Sequence, residues 1–157
     1  PTFVGPSPDG AAAPLAHDSL VNNAASEPDL AAHDPIRVLI VDDDRRVRQS
    51  LSGLMALRDG IEVVGTACDG EGAIAVCTAA GPDTVLLDLK LPELTDGLGL
   101  LAELRNRWPA IRIVAMSVQV SLRAAAIAAG AAAFIPKGGQ PEAIGDALLN
   151  LGNAASA

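Results

Sequence analysis

Aromatic side chains are scarce in this chain of 157 residues, which has two Phe, one Trp and no Tyr. Few platforms are left on which nucleic-acid bases could stack. Positive charge is short as well. Against 19 acidic residues stand 11 basic ones, and the net charge of −8 argues against a nucleic-acid-binding surface. Long apolar runs are missing too. The longest uncharged candidate, Ala124 to Pro136, has 13 residues, where a membrane helix needs about 18. The two cysteines, Cys68 and Cys77, are too few for a disulfide framework and form no Cys-x-x-Cys pair. Both are expected as small buried apolar residues in a reduced, cytoplasmic compartment. No Lys or Arg precedes Arg37, so no secretory n-region is present.

Residues 1–35 differ from all that follows. Six of the 11 prolines lie there, among Ala, Ser, Asp and Asn, with five acids and no base. Such a stretch cannot bury enough surface to offset its ordering entropy, and it reads as a disordered acidic leader. A short helix over Ala11–Asn23 is the one element its alanines would support. The leader also holds both histidines, His17 and His33. The remainder therefore cannot perform Ser-His-Asp or Cys-His catalysis, nor hold zinc through histidine.

From Ile36 onward, apolar runs alternate with helical patterns. Strands are expected at Ile36–Val41, Glu62–Cys68, Asp83–Asp88, Ile111–Ser117 and Ala132–Ile135. The helices between and after them are expected at Arg45–Leu57, Gly70–Ala80, Leu98–Arg107, Ser121–Ala129 and Gln140–Leu151. Asp59-Gly60, Gly81-Pro82, Trp108-Pro109 and Gly130 close the first four helices, and Pro141 opens the last. Continuous apolar strands between helices predict an α/β fold, a five-stranded parallel sheet covered on both faces. The domain would span 36–152, with 153–157 as a tail or the start of a linker.

In such sheets a site forms beyond the carboxyl ends of the strands. Strand one ends in Asp42-Asp43-Asp44, strand three in Asp88, strand four in Ser117, and Lys137 follows strand five. Gathered carboxylates favour one another's protonation, and a hard divalent cation such as Mg²⁺ relieves them. Carboxylates, a metal, an ammonium and a hydroxyl together suit a phosphoryl group.

These motifs in this order resemble the receiver domain of two-component response regulators, a doubly wound flavodoxin-like fold. The matching segments are Asp42-Asp43 after Val-Leu-Ile-Val, Asp88-Leu-Lys-Leu-Pro92, Ser117 and Phe134-Ile-Pro-Lys137. The run Ile61-Glu-Val-Val-Gly65 is similar to receivers that carry a helix-turn-helix output domain. The resemblance implies that Asp88 accepts the phosphoryl group from a sensor histidine kinase or a phosphotransfer protein. It implies that Asp43, Asp88 and the backbone carbonyl of Lys90 hold Mg²⁺, with Asp42 acting through a bound water. Ser117 and Lys137 would bind phosphoryl oxygens, and Ser117 and Phe134 would form the switch. Lys90, Val118 and Gln119 would tune the rate. A phosphorylation-dependent homodimer would use the surface of helix four, strand five and helix five, without contact to nucleic acid or membrane. With no Met at position 1 and nothing after Ala157, a single-domain regulator and a fragment preceding a DNA-binding domain are both expected forms.

The pattern departs from the family at several points. Lys90 sets a long cation beside the site, Val118 is bulkier than the small residue common there, and Gly138 follows Lys137 where many receivers have proline. Thr95 reads as one extra residue before Gly97, and the loop after Ser117 is short. Two rivals stand beside the phosphoacceptor. One is a pseudo-receiver, a binding module without useful phosphorylation. The other is a haloacid-dehalogenase-type phosphohydrolase with Asp42 as nucleophile and Asp44 as general acid. Against the latter, Arg46 stands where that superfamily has Thr or Val, and only Glu142 and Asp146 remain as late acids. A nucleotide-binding Rossmann domain fares worse, since no Gly-x-Gly-x-x-Gly follows the first strand and the acidic turn there would repel a pyrophosphate.

Overall fold

Four consecutive aliphatic side chains, Val38, Leu39, Ile40 and Val41, are fully buried. A strand apolar on both sides needs cover on both sides, which a parallel sheet with flanking helices supplies. The computed structural model describes residues 34–91 and 97–156, and there this expectation holds. The expected leader with His17, His33 and the Ala11–Asn23 helix, and the readings of Pro92 and Thr95, lie outside the described residues.

The strands are β1 (Ile36–Val41), β2 (Ile61–Ala67), β3 (Thr84–Asp88), β4 (Arg112–Ser117) and β5 (Ala133–Pro136). They alternate with α1 (Arg45–Ala56), α2 (Gly70–Ala80), α3 (Gly97–Arg107), α4 (Arg123–Ala128) and α5 (Pro141–Ser156). All strand pairs are parallel, in the order β2-β1-β3-β4-β5. The chain starts in β1, steps to one side for β2, then crosses to the other side for β3. That reversal places a crevice between the carboxyl ends of β1 and β3.

Alternation along each strand sorts the core into two layers. Leu39, Val41, Val85, Leu87, Ile113 and Ala115 face α2, α3 and α4, meeting Ala73, Cys77, Leu100, Leu101, Leu104 and Ala126. Val38, Ile40, Leu86, Val114 and Met116 face α1 and α5, meeting Leu51, Met55 and Leu148. No helix among the described residues is long and apolar enough to cross a membrane.

Three local expectations are corrected. Cys68 is exposed rather than buried, because β2 ends at Ala67. Its last rung is the bond from Asp42 N to Ala67 O, after which Asp69 caps α2. The helix expected over Ser121–Ala129 is a 3₁₀ turn at Val120–Leu122 followed by a shorter α4, and no side chain caps either start. The last helix runs on to Ser156, since Gly152 does not stop it. A Cβ at 152 would collide with Ile36, so close packing against β1 accounts for this glycine. Cys77 is buried as expected, and burial pushes its thiol pKa up.

Two glycines make a contrast that tests the packing. The Gly97 N–H donates to Leu89 O at 3.1 Å, and a Cβ there would run into the Leu89 backbone. Gly53 lies within α1 with open space around it. Gly97→Ala is expected to cost about 1–3 kcal/mol as an overpacked contact. Gly53→Ala is expected to gain about 0.5–1 kcal/mol from helix propensity and unfolded-state entropy. Urea unfolding of both variants measures the difference, and equal midpoints would refute the close approach at Gly97.

Candidate functional site

Asp42 stands one residue past β1 and Asp88 is the last residue of β3, so the strands on either side of the crevice carry both carboxylates to its edge. The two are buried, Asp42 fully and Asp88 at 2% exposure. Lys137 follows β5 and reaches across β4, its Nζ lying 2.6 Å from Asp42 Oδ2 and 2.9 Å from Asp88 Oδ2. The remaining oxygens are held by the backbone. Asp44 N donates to Asp42 Oδ1 at 2.9 Å, and Lys90 N donates to Asp88 Oδ1 at 3.0 Å.

Burial raises the pKa of Asp88 and the charge of Asp42 adds to that rise. Hydrogen bonds from Lys90 N and Lys137 and the lysine's charge oppose it, and the net result lies above the ordinary carboxylate value. Burial alone would lower the ammonium of Lys137. Its hydrogen bonds to Asp42 and Asp88 and their two charges outweigh burial and hold it above its usual value. The site therefore keeps a fixed cation beside a carboxylate that is costly to ionise.

Asp43 lies exposed at the rim, and carboxylate oxygens of Asp42, Asp43 and Asp88 all lie within 4.8 Å of one another. Three hard oxygen donors at that spacing fit a divalent cation such as Mg²⁺, which takes a few carboxylates and keeps water on its other positions. Ser117, the last residue of β4, is 1% exposed, and its Oγ accepts the Gln119 N–H at 3.0 Å. Lys137 N donates to Ser117 O at 2.9 Å, tying the loops after β4 and β5 together. Lys90, Val118 and Gln119 line a cleft of about 330 Å³ beside Ser117, with Leu89, Leu91 and Leu122. Val118 is 63% exposed at its mouth. Phe134 is buried on β5, below this rim.

Other predicted residues do not join the site. The Asp44 carboxylate caps α1, accepting from Arg46 N at 2.8 Å and Val47 N at 3.4 Å. Asp146 pairs with Arg58 at 2.7 Å on the flank of α5. Two contacts escaped the sequence reading. Arg48 Nη1 donates to Asp42 O at 2.7 Å, bracing the acidic turn from α1. Arg123 lies over the ring of Phe134, 5.0 Å from its centroid. A sequence signal for the second did exist, because Arg123 is the sole charged side chain between Ser117 and Lys137.

Comparison with known proteins agrees with this geometry. The family model of the response regulator receiver domain matches residues 38–149. A protein-glutamate methylesterase/protein-glutamine glutaminase of Myxococcus xanthus is 41% identical over 106 residues, covering 66% of this chain and 30% of that protein. Response regulator GacA of Pseudomonas viridiflava is 37% identical over 105 residues, 66% of this chain and 49% of its own length. The chain thus spans between 30% and 49% of the length of these curated relatives. Among solved structures, the receiver domain of the response regulator NarL from Mycobacterium tuberculosis is similar with a TM-score of 0.69 and 29% identity. That match covers 76% of this chain and 97% of the other.

The charge balance predicts a measurable stability effect in metal-free buffer. A carboxyl whose native pKa is raised costs the fold nothing below its unfolded value, near 3.8. The cost grows as pH rises through the native value and persists above it. At neutral pH, Asp88→Asn is therefore expected to raise the melting temperature by a few degrees, with the gain fading toward acid. Millimolar Mg²⁺ is expected to stabilise the wild type more than the variant. Calorimetry with and without chelator tests both, and a variant that melts lower than wild type at pH 7 would contradict the account.

Proposed function

The chain belongs to the response regulator receiver domain family, and from that premise we propose that Asp88 accepts a phosphoryl group from a sensor histidine kinase or a phosphotransfer protein. What supports the assignment is one observation, the convergence of Asp88, Lys137, Asp42, Asp43 and Ser117 at a single sheet edge. A carboxylate oxygen of Asp88 attacks phosphorus, the bond from phosphorus to the donor's imidazole nitrogen breaks, and an aspartyl phosphate results. Lys137 is already beside that carboxylate and neutralises the incoming oxygens. Ser117 supplies a hydroxyl donor to another, its proton being free of the bond that its Oγ accepts from the Gln119 N–H.

Asp43, Asp88 and the Lys90 carbonyl would hold Mg²⁺, and Asp42 would act through a bound water. Supporting Asp43 as a direct ligand, its carboxylate lies at the open rim within 4.8 Å of those of Asp42 and Asp88. The ion supplies positive charge that lets an anionic donor approach an acidic site.

The domain is regulatory, and its output is carried by the surface of α4, β5 and α5. Drawing Ser117 toward the phosphoryl group shifts the loop after β4, and Phe134, packed in the same layer as Ala126 of α4, is the aromatic of the switch. This is a two-element switch biased by a local change of charge. A phosphorylation-dependent homodimer through this surface and control of transcription in the cytoplasm complete the proposal. Likeness to the response regulators GacA and NarL supports a signalling output, and the methylesterase relative matches over a similar span. The organisation proposed is an acidic leader over 1–35 followed by the receiver.

Incubation with Mg²⁺ and a small acyl phosphate is expected to add one phosphate by mass, labile in alkali. Asp88→Asn and chelation should each abolish the gain. Uptake by Asp88→Asn at the wild-type rate would overturn the assignment.

The phosphorylated form is expected to be long-lived. In-line attack by water needs an approach of about 3–3.5 Å, and the side chains of Lys90 and Val118 crowd the cleft beside Ser117. Val118→Ala combined with Lys90→Asn should shorten the lifetime at fixed Mg²⁺. An equal or longer lifetime in the double variant rejects the steric account.

A further inference from the structure

Phe134 and Ser117 share one face of the sheet. Ala115 pairs with Phe134 and Ser117 with Pro136, and Phe134 packs in the same core layer as Ala115. The ring therefore lies two pairing steps below the Ser117 hydroxyl, on the same face. It is already packed inward, 6% exposed, against the layer containing Ala126 and Leu122. If Ser117 moves toward Asp88, the volume it leaves lies on the ring's side. The buried ring is thus the arrangement compatible with a displaced Ser117.

One residue outside the core holds the ring there. Arg123, the first residue of α4, sets its guanidinium carbon 5.0 Å from the ring centroid. Its Nη1 also makes a long hydrogen bond to Phe134 O at 3.5 Å. Cation over ring face is favourable electrostatically, and a planar guanidinium stacks where an ammonium cannot. The choice is specific, because nothing else from residue 118 to 136 is charged. An outward rotation of the ring would forfeit the stack on Arg123 and expose apolar surface at the same time.

We propose that Arg123 is a positioning residue that pins Phe134 in its buried rotamer before phosphorylation, so that Ser117 moves on activation without a rotation of the ring. The inference rests on the receiver reading, which makes Ser117 and Phe134 the two residues of the switch. In such an arrangement part of the reorganisation cost of activation is removed in advance, and the phosphorylated state binds its ligands more tightly for it.

The test uses the full chain labelled with 4-fluorophenylalanine, which reports on two positions only, Phe3 and Phe134. Phe134→Leu assigns the resonances. Without any phosphoryl analogue, Arg123→Gln is expected to move the Phe134 signal toward that of the free amino acid, and Arg123→Lys to move it less. With Mg²⁺, half-saturation by beryllofluoride is expected to need about two- to five-fold more ligand in Arg123→Gln, the size of a surface cation–π contact. In the wild type, beryllofluoride should shift the Phe134 signal by less than the Arg123→Gln substitution does. An unmoved signal and an unchanged half-saturation in Arg123→Gln would overturn the proposal. So would a large wild-type shift on adding beryllofluoride, since the ring would then move on activation. Failure of the wild type to bind beryllofluoride at all would instead sink the receiver reading, while the ligand-free comparison would still decide whether Arg123 pins the ring.

Discussion

The ammonium of Lys137 stands between two buried carboxylates, 2.6 Å from Asp42 and 2.9 Å from Asp88, and the rest of the site depends on that sharing. Two carboxylates at the bottom of a crevice repel, and burial raises the cost of ionising Asp88. A single cation cannot neutralise three acids, because Asp43 stands at the same edge. The site is therefore left with excess negative charge and with oxygens already gathered. That is the condition in which a hard divalent cation binds and a phosphoryl group can follow it. A structural ion pair would have been balanced; this one is not.

Topology explains why these residues meet although 95 positions separate Asp42 from Lys137. Parallel strands all deliver their carboxyl ends to one edge, so five short segments place five turns side by side. The reversal between β1 and β3 leaves the crevice in which the carboxylates sit. Lys137 comes from β5, beyond β4, and a long flexible side chain is needed to reach back over Ser117. The backbone bond from Lys137 N to Ser117 O fixes where that reach begins.

Much of this was legible in the sequence, for identifiable reasons. Strands buried on both faces leave unbroken apolar runs, so β1 and β3 could be placed to within a residue. Polar residues at the ends of such runs have no core role, which singled out Asp88, Ser117 and Lys137. What could not be read depends on contacts distant in the chain. Gly152 carries the mark of a helix stop, and only its packing on Ile36 explains why α5 continues. Cys68 looked like the end of a buried strand, yet β2 is an edge strand that stops one residue sooner. The break between the 3₁₀ turn and α4 has no sequence signature, since alanines satisfy either helix. Arg48 bracing the acidic turn follows from the angle at which α1 leaves β1, which spacing alone does not specify.

The distribution of charge also separates chemistry from transmission. Ionised groups crowd the sheet edge between β1, β3 and β5, whereas α4 and its flanking loops carry only Arg123. Uncharged alanine-rich surface has little to hold it in one position except packing, and α4 is short, uncapped and preceded by a 3₁₀ turn. Such an element is cheap to shift, as a segment that relays a local event must be. Its one electrostatic anchor grips Phe134 on the neighbouring strand. In the proposed switch, a displacement of the Ser117 loop would be passed to α4 while that anchor holds the ring. Were Arg123 instead free in solvent, the same displacement could be absorbed by fraying at the uncapped start of α4, and less of it would reach the surface.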